Sequence, residues 1–214
     1  MNRQERLQKI AQFTKKCLEE MARRYPSPEH DPVYRWEHTM RVARYGQQVA
    51  QAEGADAEVV VVACLLHDVA HFDPLENYKD HGRVGAKMSR PLLAELGYSD
   101  EQIEDICYAI AVHVDDKADF EHAHTLEADI VSDADNIDRF GAFRILQWCV
   151  PKMDNFPALA ENLRLRVERL DGYRRANPLA TEAGRALFGQ QLGRQIAFFK
   201  ALIAEYELTE MPEL

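Results

Sequence analysis

One segment limits the fold of this chain more than any other: residues 56–72, DAEVVVVACLLHDVAHF. Four consecutive valines favour a strand, but the apolar run is longer than a usual buried strand, and Asp56 is a suitable N-cap for a helix. We therefore predict a helix from residue 57 to about residue 70. Because this helix is apolar on nearly all sides, it must lie at the centre of a domain.

The rest of the chain has the periodicity of helices. Apolar residues recur at spacings of three and four over residues 3–24, and Gly54 is suited to end a second helix that begins near Tyr34. Neither a GxGxxG motif nor a regular alternation of strands and helices is found. We predict an all-α fold with a single domain over 1–214, in which a helical bundle over about 30–150 forms the core and C-terminal helices over about 155–207 pack on it. Further helices are expected near residues 83–96, 99–113, 126–150, 157–175 and 182–206.

The net charge opposes two classes of partner. The chain has 36 Asp and Glu against 26 Lys and Arg, a net charge of -10, which disfavours an extended nucleic acid or an anionic membrane surface. A small anionic substrate is still compatible, because a bound divalent cation can dominate the local field. The N-terminus lacks the apolar core of a signal peptide, and the strongly apolar run at residues 59–66 is too short to span a bilayer. We expect a cytoplasmic protein.

Histidines and aspartates inside apolar segments are the candidates for chemistry. His67 and Asp68 directly follow VVVVACLL, where unpartnered polar groups would be costly to bury. His38 lies on the preceding predicted helix, and antiparallel packing of the two helices would bring its imidazole toward His67. Two nitrogens and a carboxylate suit a divalent metal. The alternative is a core histidine that is hydrogen-bonded to its neighbour or to backbone.

The segment LEADIVSDADNIDRFGAF offers a further oxygen ligand. Asp129, Asp133, Asp135 and Asp138 crowd a stretch that is otherwise apolar enough to be buried. Buried carboxylates at this density need a cation, because like charges in a low dielectric repel. The alternative is a solvated acidic face, with Asp135 and Arg139 as an i,i+4 pair.

In this order the motifs resemble the HD-domain family of metal-dependent phosphohydrolases. The resemblance runs from about residue 38 to residue 143 and is carried by EHTMRVARYG, LLHDVAHF, DHGRVGAKMSRPLLAELGY, YAIAVHVDD and DADNIDRFGAF. It implies a divalent metal, with Mn, Ni, Co, Fe, Mg and Zn all open, and possibly a second ion. The implied ligands are His38, His67, Asp68 and Asp135.

The resemblance also implies roles around the metal. Asp133 and Asp138 are expected to orient ligands, although a shift of two residues would exchange Asp133 with Asp135. Asp68 and His71 are the expected catalytic residues, and several nucleotidase relatives have an acidic residue at the position of His71. Candidates for a second metal, or for phosphate binding, are His81 and His113. Candidates for binding substrate phosphates are the nearby cations Arg41, Lys79, Arg83, Lys87 and Arg139.

The implied activity is hydrolysis of a small phosphorylated substrate, with a nucleotide as the preferred class, by metal-activated water. Two alternatives stay open: a di-iron oxygenase of the same superfamily, and a non-catalytic module that binds a nucleotide as a sensor. The segment after about Asn155 has no motif that indicates a function. Its amphipathic stretches are expected to complete the core or to form a homodimer face.

Overall fold

The computed structural model describes residues 1–150 and 153–209, and all regular structure within them is helical. The prediction of an all-α fold is therefore confirmed. A short 3-10 helix, Tyr78–Asp80, precedes α4. The α-helices are α1 Arg3–Arg24, α2 Pro32–Glu53, α3 Ala57–Leu66, α4 His81–Glu95, α5 Asp100–Val112, α6 Leu126–Arg139, α7 Phe143–Cys149, α8 Phe156–Arg175 and α9 Glu182–Glu207.

The chain divides into two compact units at the end of α6. Unit 1 is Met1–Asp138 and contains α1 to α5 and nearly all of α6, and unit 2 is Arg139–Leu214 and contains α7, α8 and α9. The single domain expected over 1–214 stays a prediction. None of the helices in the described part of the chain has the length and apolarity that a membrane crossing requires.

Helix α3 is the centre of unit 1. Helices α1, α2 and α5 all pack on it, and its residues Val60, Val62 and Leu66 are completely buried. The Asp56 carboxylate accepts hydrogen bonds from the backbone amides of Glu58 and Val59 at 2.8 and 3.2 Å. The apolar helix and its N-cap thus match the prediction, and both follow from local sequence.

The end of α3 differs from the prediction. The helix ends at Leu66, four residues before the expected position, and residues 67–72 form tight turns. In these turns the amides of Val69 and His71 donate to carbonyls three residues earlier, at 3.0 and 2.9 Å. The apolar pattern does not reveal this end, because Val69, Ala70 and Phe72 are as buried as the helix itself. His67 and Asp68 therefore stand immediately after the helix.

The helix predicted over 126–150 is also wrong, because it is two helices. Helix α6 ends at Arg139, and α7 begins at Phe143. Within unit 2, the side-chain amide of Gln195 donates to the carbonyls of Phe140 and Gly141 at 2.7 and 2.9 Å. These bonds satisfy backbone carbonyls that an interrupted helix leaves open. A glutamine 54 residues away from Gly141 cannot be recognised as this partner from local sequence.

The other predicted helix ends lie within two residues of the observed ones. Gly54 ends α2 in the left-handed conformation, with φ of 75°, as its position predicts. Helix α2 begins at Pro32, two residues before the expected start, because the Asp31 side chain caps it by accepting from the amides of Val33 and Tyr34.

Helices α4 and α5 approach each other closely at Gly82. A Cβ atom on Gly82 would lie 2.8 Å from the carbonyl oxygens of both Ala111 and Ile110, and 3.2 Å from Nδ1 of His113. Backbone oxygens cannot move aside unless the two helices separate. The absence of a side chain at this position therefore keeps His81, the neighbouring residue, close to the end of α5.

We predict that Gly82→Ala lowers the free energy of unfolding by about 1–3 kcal/mol, because it overpacks this contact. Urea denaturation followed by circular dichroism measures the change. Gly189→Ala is the matched control, since Gly189 lies in α9 and a Cβ there meets nothing within 4 Å. Equal stability of the two variants would contradict the account of the α4–α5 contact.

Candidate metal centre

Buried imidazoles and carboxylates from every helix of unit 1 except α1 meet at one place. His67 and Asp68 follow α3, His81 begins α4, and His113 follows α5. None of the residues in the cluster is more than 9% exposed. The full set is His38 on α2, His67, Asp68, His81, His113 and Asp135 on α6.

The Asp68 carboxylate is the centre of this cluster. Its Oδ2 atom lies 3.2 Å from Nε2 of His67 and 3.5 Å from Nε2 of His38. Its Oδ1 atom lies 3.2 Å from Nε2 of His81 and 3.9 Å from Nε2 of His113. The Asp68 carboxylate therefore faces these four buried imidazoles, each through Nε2.

His38 lies close to the other predicted ligands of the first ion. Nε2 of His38 lies 3.4 Å from Nε2 of His67 and 3.2 Å from Oδ1 of Asp135. Asp133 is buried on α6, two residues before Asp135. Since residues two apart on a helix do not share a face, the orientation of Asp135 toward His38 directs Asp133 elsewhere.

Each of the four imidazoles is held through its other ring nitrogen, Nδ1. In His67, His81 and His113, Nδ1 lies 2.6–2.7 Å from the carbonyl oxygen of the residue three positions earlier. In His38, Nδ1 lies 2.7 Å from the carboxylate of Asp138. These partners are acceptors, so each Nδ1 must carry the proton, and in a neutral ring Nε2 then has a free lone pair.

The chemistry of this donor set fits a divalent cation. Nε2 lone pairs and carboxylate oxygens are all acceptors, and acceptors that face one another in a buried place need positive charge between them. Imidazole nitrogen and carboxylate oxygen are ligands that first-row divalent metals accept. Among the described residues, two groups have ligand atoms close enough to hold an ion, and Asp68 belongs to both. They are His38, His67 and Asp68, and Asp68, His71 and His81.

The carboxylates around His38 favour positive charge at its Nε2 atom, which a divalent metal would supply in place of a proton. Burial alone would lower the pKa of His38, but its hydrogen bonds with Asp135 and Asp138 outweigh burial and raise the pKa to about 9. Burial would likewise raise the pKa of Asp68, but His67 and Arg35 hold it well below the usual range. The carboxylates are therefore ionised and attract a cation.

The environment of His113 lowers the pKa of this residue, whereas that of His38 raises its pKa. Burial and the neighbouring His67 lower the pKa of His113 to about 4. This imidazole is consequently neutral at physiological pH, as a metal ligand must be.

His71 stands at the edge of the cluster. Its Nδ1 atom lies 3.2 Å from Oδ1 of Asp68 and 3.0 Å from the hydroxyl of Tyr78. Burial lowers the pKa of His71 more than Asp68 raises it. A neutral imidazole with one hydroxyl and one carboxylate beside it is suited to accept and return a proton.

Asp138 lies behind His38 and joins it to Arg41. Its Oδ1 atom accepts from Nε of Arg41 at 2.6 Å, while Oδ2 contacts His38 and accepts from a second Arg41 nitrogen at 3.2 Å. A carboxylate on the outer nitrogen of a ligating histidine fixes the ring and strengthens it as a ligand. The geometry thus gives Asp138 the orienting position that sequence analysis expected for Asp133 and Asp138.

The other expected phosphate-binding cations either pair with carboxylates elsewhere or are exposed. Arg83 pairs with Asp80 and Asp115, and Lys87 pairs with Asp119. Lys79 and Arg139 are exposed. In the described part of the chain, these carboxylate partners of Arg83 and Lys87 lie outside the cluster around Asp68.

Sequence analysis missed Arg35 and Tyr78. The Arg35 guanidinium donates to Oδ2 of Asp68 at 2.7 Å, and the Tyr78 hydroxyl contacts His71. Arg35 precedes His38 by three residues, so the two share one face of α2. That spacing was a usable signal. No sequence pattern indicates Tyr78, which reaches the cluster from the 3-10 helix before α4.

Comparisons with known proteins agree with this geometry. A family model described as HD domain matches residues 35–139. Three solved structures resemble the chain over 96% of its length. One is a predicted HD superfamily hydrolase from an uncultured Thermotogales bacterium, with 23% identity, 99% of that chain covered and a TM-score of 0.67. Another is an HD-superfamily hydrolase from Bacillus thuringiensis, with 20% identity, 99% covered and a TM-score of 0.69.

The third solved structure is Bacillus subtilis YpgQ in complex with ADP, with 18% identity, 97% of that chain covered and a TM-score of 0.65. At these identities the three likenesses establish the fold. No curated protein is similar enough to count as a match.

We predict that Asp138→Asn weakens binding of a divalent metal by about 10- to 100-fold, because His38 loses the carboxylate that orients it. Calorimetric titration of metal-stripped protein with manganese measures the affinity. Asp129→Asn is the matched control, since Asp129 lies on the same helix but pairs with the exposed His124. Unchanged affinity in Asp138→Asn would show that Asp138 only stabilises the fold.

Proposed function

Because the chain belongs to the HD-domain family, we propose that it is a metal-dependent phosphohydrolase whose substrate is a small phosphorylated molecule, with nucleotides as the preferred class. The observation that carries the proposal is the convergence of four Nε2 atoms on the Asp68 carboxylate. With the proton on each Nδ1, the four Nε2 atoms and the carboxylate can all offer lone pairs to the same place, and such a donor set is suited to a metal.

The proposed ligands divide into two sets that share Asp68. His38, His67, Asp68 and Asp135 would hold the first ion, while His81, His113 and His71 face the other oxygen of Asp68 or stand beside it. We propose this second set for another ion or for substrate phosphate. A bound divalent cation supplies positive charge to the phosphoryl group and lowers the pKa of attacking water.

The chain's own residues complete the proposed reaction. The Arg35 guanidinium is fixed by Asp68 but is still 20% exposed, so its free edge is available to bind phosphate oxygens. His71 would take a proton from water at its imidazole and return it to the leaving oxygen. Tyr78 hydrogen-bonds to His71 and keeps that ring oriented.

A nucleotide is supported by two observations. YpgQ, which has the same fold, was solved in complex with ADP. In this chain Tyr78 is 56% exposed, and its ring lies at the edge of the cluster, beside His71 and 4.7 Å from the ring of His81; a base can pack against its exposed surface. Phe72, the aromatic residue nearest to the His-Asp pair in sequence, is buried and already stacked on His30 at 4.7 Å.

The activity is tested with metal-stripped protein and a panel of nucleoside mono-, di- and triphosphates and simple phosphoesters. We expect release of phosphate or pyrophosphate when manganese, nickel, cobalt, iron, magnesium or zinc is restored. Asp68→Asn should lower turnover by on the order of 10²-fold or more with unchanged helical content, while Asp129→Asn should retain activity.

The outcomes separate the proposal from its alternatives. Absence of turnover with every metal and substrate would refute the hydrolase. Nucleotide binding without consumption would instead indicate a sensor. Oxygen consumption by iron-loaded protein, without phosphate release, would indicate an oxygenase.

We predict a separate role for Arg35 in this activity. Arg35→Gln should lower kcat/KM by on the order of 10²-fold, because it removes a cation from beside the proposed phosphate position. The matched control is Arg44→Gln, since Arg44 is exposed on the same helix and its guanidinium contacts Gln47. Steady-state kinetics with the best substrate of the panel measures both variants, and equal kinetics would exclude Arg35 from substrate binding.

A further inference from the structure

Arg166 on α8 is a buried cation without an acidic partner among the described residues. The residue is only 9% exposed, and its Nε atom is inaccessible and has no hydrogen-bond partner. Across residues 1–150 and 153–209, no salt bridge joins Arg166 to a carboxylate. An arginine in such a place is normally paired, because burial of an uncompensated charge is costly.

Two aromatic rings fix the position of this guanidinium. Its central carbon lies 5.1 Å from the centre of the Phe140 ring and 4.8 Å from that of Trp148. Cation–π contacts of this kind offset part of the cost of burial. They use the faces of the guanidinium, so its N–H groups, which lie in its plane, point away from both rings, and the buried Nε–H among them has no acceptor within the described ranges.

Two other arginines increase the positive charge around Arg166. Burial, together with Arg169 one turn further along α8 and Arg144 on α7, lowers the pKa of Arg166 to about 10. At neutral pH Arg166 nevertheless carries its charge. Arg169 and Arg144 therefore add positive charge around Arg166. No described carboxylate pairs with Arg166.

The distribution of charge along the chain agrees with this local excess. Residues 139–214 have 11 Lys and Arg against nine Asp and Glu, whereas residues 1–138 have 15 against 27. Unit 2 is thus slightly basic although the whole chain is acidic. Its potential favours an anion near a concentration of arginines.

We propose that Arg166, with Arg144 and Arg169, forms a binding site for a phosphate-class oxyanion in unit 2. The guanidinium fork matches the oxygens of a phosphate group. A phosphate group also offers several acceptor oxygens at once to the N–H groups of Arg166. The site is distinct in residues from the proposed metal centre, and it does not depend on the phosphohydrolase activity.

Trp148 is a built-in reporter for this site. The chain has two tryptophans, so Trp36→Phe leaves Trp148 as the single one. We expect inorganic phosphate to change its emission saturably in metal-stripped full-length protein at constant ionic strength. Potassium acetate and potassium chloride should not reproduce the change.

Arg166→Met in the same background tests the central residue. Loss of charged hydrogen bonds should weaken phosphate binding by about ten- to 100-fold. The matched control is Arg164→Met, since Arg164 lies on the same helix and pairs with Glu207 at 2.9 Å; its phosphate affinity should be unchanged. Arg166→Lys keeps the charge without the fork, and it should also bind phosphate more weakly than the parent.

Thermal unfolding distinguishes a binding site from a purely structural arginine. Phosphate should raise the melting temperature of the parent and of Arg164→Met, but not that of Arg166→Met. In phosphate-free buffer Arg166→Met should melt at or above the parent temperature, because an uncompensated charge has been removed.

Three results would overturn the proposal: no response to phosphate in the parent, an equal response to acetate, or full retention of phosphate binding by Arg166→Met. If Arg166→Met does not fold, Arg166→Lys decides the question, and parental phosphate affinity in that variant would overturn the proposal as well.

Discussion

A carboxylate as buried as that of Asp68 stays ionised only when positive or polarised groups surround it. Arg35 supplies one such group at 2.7 Å, and imidazole nitrogens supply the rest. Because these groups come from four different helices, they surround Asp68 only when the helices pack in one arrangement. The ionised state of Asp68 and the packing of unit 1 are therefore coupled, and the proposed chemistry depends on both.

The ends of helices orient the cluster. His67 and His113 each follow the last residue of a helix, and each hydrogen-bonds through Nδ1 to a carbonyl three residues earlier. These carbonyls belong to the last turn, where backbone acceptors have no partner within the helix. One bond thus caps the helix and directs Nε2 toward Asp68. Orientation of the ligands is a consequence of where α3 and α5 stop.

The two units have different electrostatic characters. Unit 1 concentrates carboxylates that require cations, and Asp68, Asp135 and Asp138 are the buried examples. Unit 2 contains Arg166, a cation held by aromatic rings without a carboxylate. A net charge of -10 for the chain conceals this division. A metal in one unit and an oxyanion in the other would each compensate the local excess.

Local sequence by itself determined most helix positions, the central burial of α3 and the candidates His38, His67 and Asp68, because periodicity, caps and polar residues in apolar runs are local signals. The choice of Asp135 among the aspartates of α6 came from the resemblance to the HD-domain family. It did not determine where α3 ends, since the turns after Leu66 are equally apolar. Only the tertiary structure decided that Asp138 holds His38, that Arg35 holds Asp68 and that Arg166 lacks a carboxylate. Those facts depend on distances between helices, and such distances are set by packing of the whole unit and not by any one segment.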